Sequence, residues 1–148
     1  MIGRAKVSIY CHATEDRDKV IEVFSNFTPE RKFIEEEVMG HFGNRISILR
    51  ADIKKDASSL LQGLLRKLSE EDFQEVVNSL HDRIDDNRRF HLRLDKQEAF
   101  FRKIALSRGS DGIDCAFKLV VYTKGKTLES LKRWICETGI RDRSALST

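Results

Sequence analysis

In the run RRFHLRLDKQEAFFRK, Arg88 to Lys103, six cationic side chains stand against two acids. Phe90, Leu92 and Leu94 alternate with His91, Arg93 and Asp95, the two-residue period of a strand that turns one row inward and the other outward. Arg88, Arg89, Arg93 and Lys96 therefore cluster about one strand and its end. Guanidinium groups grip phosphate oxygens bidentately and an ammonium adds a point charge, so the chemistry on offer is anion binding. The plainer alternative is a solvated strand with cross-strand ion pairs. Asp95 and Glu98 have the spacing of a helix N-cap and its reciprocal partner, which assigns Asp95 to structure ahead of catalysis. Phe100 and Phe101 are adjacent and cannot share one narrow helical stripe, so one packs inward and the other is left partly exposed.

His12 and His41 fall at a strand end and in a hairpin loop, where side chains converge, with Asn44 close by. Neither histidine has the sequence companion of a recognisable mechanism. The chain has no HxxxH zinc pair, phosphate-binding P-loop, GxSxG elbow or deaminase-type H-x-E with PCxxC. Glu35, Glu36 and Glu37 do not converge on a metal, because successive strand residues point to opposite faces; they read as solvated charges on an edge strand. Cys11, Cys115 and Cys136 are too far apart for a zinc cage, and their odd number speaks against a disulfide framework. No metal and no cofactor is expected.

These residues need elements to hold them. Val7, Ile9 and Cys11 alternate with Lys6, Ser8, Tyr10 and His12 as a first strand. Thr14 reads as the N-cap of a helix carrying Val20, Val23, Phe24 and Phe27 on one face and ending before Pro29. Phe33 to Met39 and Arg45 to Ile53 form a hairpin around MGHFGN. Asp56 and Ser69 cap two helices, one bearing Leu60, Leu61, Leu64, Leu65 and Leu68, the other Phe73, Val76, Val77 and Leu80. Lys103 to Ser107 and Ile113 to Thr123 flank RGSDG as a second hairpin. Thr127 caps a last helix, with Leu128, Leu131 and Ile135 inward, that Gly139 stops. The order β-α-β-β-α-α-β-(short α)-β-β-α, with hairpins instead of repeated crossovers, predicts an α+β fold whose mostly antiparallel, mixed sheet carries its helices on one face.

At 148 residues, with 40% hydrophobic and 34% charged side chains, the chain suits one soluble domain, expected over 1–139 with 140–148 as a flexible tail. No apolar run reaches the ~18 residues of a membrane span, and no signal peptide is visible, so a cytoplasmic setting is expected. The formal net charge of +3 is a mild bias toward anionic partners.

The segments YCHATED (Tyr10 to Asp16), GHFGNRISILRADIKK (Gly40 to Lys55) and HLRLDKQEAFF (His91 to Phe101) together resemble an archaeal family of small predicted RNA-binding proteins, also described as predicted exosome subunits. The resemblance implies a fold like that of the ribosomal protein that binds 5S RNA, and an RNA-related role. The resulting expectation is a non-catalytic RNA-binding protein whose basic sheet face tracks a phosphate backbone with Arg45, Arg50, Lys54, Lys55, Arg88, Arg89, Arg93 and Lys96, with His12, His41 and Asn44 as loop candidates. Its RNA would be structured or present single-stranded loops. Two alternatives remain open: an accessory subunit of an RNA-processing complex, with Trp134 as a protein anchor if exposed, and a small enzyme using His12 and His41. The oligomeric state is not legible.

Overall fold

The computed structural model describes residues 2–27, 32–40, 43–109, 111–120 and 127–146, with 127 and 139–146 described by their backbone. The elements are β1 (Ile2–His12), α1 (Arg17–Ser25), β2 (Ile34–Met39), β3 (Arg45–Ile53), α2 (Ala57–Lys67), α3 (Glu70–Asn78), a 3-10 turn (Leu80–Arg83), β4 (Arg89–Asp95), α4 (Lys96–Phe100), β5 (Gly112–Leu119) and α5 (Thr127–Leu146). The strands make one five-stranded sheet in the order β2-β3-β1-β5-β4. Among the described residues every pairing is antiparallel, so the expected α+β sheet is present there without a parallel pair.

One face of this sheet is buried. Val7 and Ile9 of β1, Leu49 of β3, Ile113 and Phe117 of β5 and Phe90, Leu92 and Leu94 of β4 are essentially inaccessible. Over them lie Val20 and Phe24 of α1, Leu61 and Leu65 of α2, Val76 of α3 and Leu131 and Ile135 of α5. Burying each such side chain contributes about 1.5–3 kcal/mol, which decides which face of every strand points inward. The residues between them form a second sheet face that no described helix covers.

Several local details depart from the sequence reading. Asp16, not Thr14, caps α1, accepting from the Asp18 amide. Asp56 sits at the start of α2 in a left-handed conformation (φ 61°), and its side chain makes no cap bond. Ser69 does cap α3, accepting from the Asp72 amide, while the Asp72 carboxylate accepts from the Leu106 amide and Arg108. That bond belongs to the segment 103–107, which makes a single bridge, Leu106 to Leu94, where a strand was expected. The backbone there follows the outer edge of β4, with amide donors from Asp95 to Ala105 and from Ser107 to Arg93. The last helix continues through Gly139 to Leu146. Trp134 is half-buried against the core.

Lys96, expected among the exposed cations, is 1% exposed. It is the first residue of α4, behind the N-cap Asp95, whose carboxylate accepts from the Glu98 amide as the spacing predicted. From there its ammonium reaches across the sheet end and donates to the Tyr10 carbonyl (2.6 Å), Glu15 (2.6 Å) and Asp111 (3.3 Å). An ammonium has three donors, and all three are used. The bond set ties the end of β1, the turn before α1 and the loop before β5 to the β4–α4 junction. Burial alone would push the Glu15 carboxyl up, but the hydrogen bonds from Lys96 and the His12 amide, with the ammonium charge, hold it below its ordinary value.

Leaving a buried ammonium without its counter-charge is expensive, so Glu15→Gln should lower unfolding free energy by about 3 kcal/mol in urea titrations. Lys96→Met should also destabilise, and the double variant should lose less than the sum of the two. The pH dependence has a definite sign. Because the folded value of Glu15 lies below the unfolded one, its stabilisation is fully present above about 4.5 and is lost as pH falls through the folded value. Glu15→Gln should therefore flatten the acid limb of the stability curve.

Candidate nucleic-acid interface

The register lays out the uncovered face residue by residue. On β1 it carries Arg4, Lys6, Ser8, Tyr10 and His12; on β5, Asp114, Ala116 and Lys118; on β4, Arg89, His91, Arg93 and Asp95; on β3, Ile46, Ile48, Arg50 and Asp52. Arg4 lies directly opposite Lys118, and Lys118 directly opposite Arg89. Three cations thus stand side by side on adjacent strands, about 4.8 Å apart from strand to strand. Lys6, two residues along β1, faces the same way and lies between Ala116 and Asp52. A shallow depression of about 70 Å³ is lined by Arg4, Ala5, Lys6, Arg89, Ala116 and Lys118. Arg4 reaches Asp52 at 3.4 Å, whereas Lys6, Arg89 and Lys118 have no ion pair among the described residues.

The same end of the sheet gathers Lys54 and Lys55, exposed just beyond β3, and Arg88, exposed just before β4 with φ at 60°. Four of the cations singled out in the sequence, Lys54, Lys55, Arg88 and Arg89, are thereby brought together with Arg4, Lys6 and Lys118, which sequence reasoning missed. The remaining four lie elsewhere. Arg50 is on the open face but is paired with Glu36, and Arg93 is paired with Asp114 at 3.4 Å. Arg45 is an odd number of residues from Arg50 and faces the opposite side of β3. Lys96 is buried in the ion-pair node at the far end.

His91 meets Asp85 at 2.7 Å, and Asp85 also accepts from the Asn87 and Arg89 amides. The His91 bond is the main reason that the Asp85 carboxyl is held below its ordinary value. That network fixes the turn from which Arg88 and Arg89 project. The glutamates of β2 are not merely solvated, since Glu35 pairs with Arg17 as Glu36 does with Arg50.

At the opposite end, His12, Glu15 and Asp111 bring one potential ligand atom each within 4.8 Å of one another. The donor set suits a divalent cation, but the Lys96 ammonium already lies against both carboxylates and supplies the positive charge. His12 is 3.9 Å from Asp111. His41, its proposed partner, lies outside the described residues. Asn44 closes the β2–β3 loop, its carbonyl accepting from the Gly40 amide at 2.8 Å. Burial pushes the thiols of Cys11 and Cys115 up, so neither is an ionised nucleophile at neutral pH. No described helix is long and apolar enough to cross a membrane.

Comparison with known proteins places this surface in context. A family model described as RNA binding matches residues 4–119. RNA-binding protein PAB1135 of Pyrococcus abyssi is 30% identical over 140 residues, 88% of this chain and 91% of that protein. An uncharacterized protein of Methanocaldococcus jannaschii is 31% identical over 141 residues, 89% of this chain and 94% of its own length. Among solved structures, a DUF54 protein of Archaeoglobus fulgidus aligns with a TM-score of 0.79 at 32% identity, over 92% of this chain and all of that one. A DUF54 protein of Methanothermobacter thermautotrophicus aligns at 0.76 and 28%, over 93% and 98%. Matched by the family model through all five strands and by relatives along nearly their whole length, the chain belongs to the RNA binding family.

Proposed function

We propose that this protein is a non-catalytic RNA-binding protein that holds the phosphate backbone against the cationic end of its open sheet face. The observation that carries the reading is the cross-strand row Arg4, Lys118, Arg89. Like charges directly opposite each other destabilise a sheet, so the row opposes folding, and an anionic ligand relieves it. Lys6 extends the row along β1, and Lys54, Lys55 and Arg88 form its rim. Arg50 and Arg93, already compensated by carboxylates, add little affinity; Arg45 and Lys96 take no part.

Phosphate contacts of this kind fix position without reading sequence, so specificity rests on RNA shape or on unpaired bases elsewhere on the surface. The family and the name of the Pyrococcus relative support RNA as the ligand. The resemblance on the HATED and GHFGN segments extends the reading to a cytoplasmic role beside RNA-processing proteins and to kinship with the fold of the 5S-RNA-binding ribosomal protein.

The test is the double substitution Arg89→Gln with Lys118→Gln, followed by RNA titrations over a salt series. Each lost phosphate contact should reduce the slope of log affinity against log salt by about 0.7–0.9, so a drop of roughly 1.5 is expected. The same variant should be as stable as the parent or more so, by a few tenths of a kcal/mol, because a repulsion is removed. An unchanged slope with unchanged affinity would sink the proposal.

A further inference from the structure

Two concavities lie on the other side of the sheet, between α1, α2 and α4. A cavity of about 440 Å³ is lined by Lys19, Glu22, Val23, Asn26 and the segment Ala99 to Arg102. A second, of about 400 Å³, adds Phe27, Leu64, Lys67 and Ile104 and shares Asn26, Ala99 and Arg102 with the first. The two are one groove, and each half has the size of an ordinary small-molecule cleft, about 300–1,000 Å³.

Two features of this groove point to one class of ligand. Phe101 is 75% exposed at its lip, the most exposed large apolar side chain in the described part of the protein, while its neighbour Phe100 packs on the core. Lys19 and Arg102 line the same half of the groove as that ring and Lys67 lines the other half, all three exposed and without an ion pair among the described residues, where Glu22 is the one acid among the described lining residues. Arg102 is held by the turn that ends α4: its amide donates to Ala99 and the Lys103 amide to Glu98, with φ at 59°. Glycine is the usual residue at such a helix end, so an arginine placed there retains a cation where backbone preference would remove it.

An exposed aromatic ring within a set of cations fits a base and its phosphates better than an apolar peptide, which would leave the three charges without counterparts. We propose that the groove between α1 and α4 is a second RNA contact, in which an unpaired base stacks on Phe101 and the flanking phosphates lie against Lys19, Arg102 and Lys67. This rests on the RNA-binding reading above and adds to it the discrimination of single-stranded from duplex RNA that the open face cannot provide. Bases within a duplex are already stacked and cannot reach the ring.

The experiment measures the affinity of the full chain for an eight-nucleotide oligouridine and for a blunt RNA duplex. Phe101→Ala should weaken oligouridine binding about 5- to 150-fold, the range of a single base–aromatic stack, and leave duplex binding and the salt slope unchanged. Phe101→Trp should restore it. Arg102→Gly should weaken oligouridine binding while keeping or raising thermal stability, since glycine suits the backbone there. Oligouridine affinity within twofold of the parent for Phe101→Ala, or an equal loss on duplex, overturns the proposal and leaves the ring to a protein partner. If that result comes with the predicted loss for Arg89→Gln/Lys118→Gln, only the groove proposal fails. If neither variant changes RNA affinity, the RNA-binding reading fails and takes the groove with it.

Discussion

The register of β1 between β3 and β5 is the constraint on which the rest of the structure depends. As the central strand it sets Val7 against Ala51 on one side and Cys115 on the other, and all three point into the core. A slip of one residue would exchange its faces, burying Lys6, Ser8 and Tyr10 and exposing Val7 and Ile9. Desolvating an unpaired ammonium while exposing two aliphatic side chains is far costlier than any alternative pairing can repay. The same register that satisfies the core sets Arg4 beside Lys118 and leaves Lys6 on the open face, so the position of the cations follows from how the core is packed.

The two ends of the sheet resolve their charges in opposite ways. At the His12 end a cation is drawn inside and matched completely: Lys96 has a carbonyl and two carboxylates, and no donor is left for a ligand. At the Arg4 end three strands each present a cation to solvent in one row, and Asp52 answers only one of them. A formal charge of +3 conceals this polarity: Arg17, Arg50, Arg93, Lys96 and Arg108 each lie against a carboxylate. By contrast Lys6, and Lys118 and Arg89 of that row, have no ion pair among the described residues.

Strand alternation made the fold class legible in the sequence, as did the Asp95 cap and the unequal fates of Phe100 and Phe101. Those features depend on residues close together in the chain. What could not be read depends on pairing between distant segments. Arg4, Lys6 and Lys118 look like ordinary outward strand residues until the register sets two of them side by side. Lys96 looks like a surface cation until Glu15, Asp111 and the Tyr10 carbonyl, contributed from up to 86 positions away, surround it. Arg45 and Arg50 belong to one basic strand, yet their odd separation alone places them on opposite faces. The segment 103–107 has the composition of a strand, but its amides are spent on the β4 edge and on Asp72.

In the proposed binding mode RNA meets the Arg4 end of the open sheet face. Amide chemical-shift mapping of isotope-labelled protein titrated with RNA tests it most directly. The largest shifts should fall on 4–6, 52–55, 88–90 and 116–118, with a separate set near 99–102 when the RNA is single-stranded. Shifts confined to the His12–Lys96 end, or to α3 and the exposed side of α5, would contradict it.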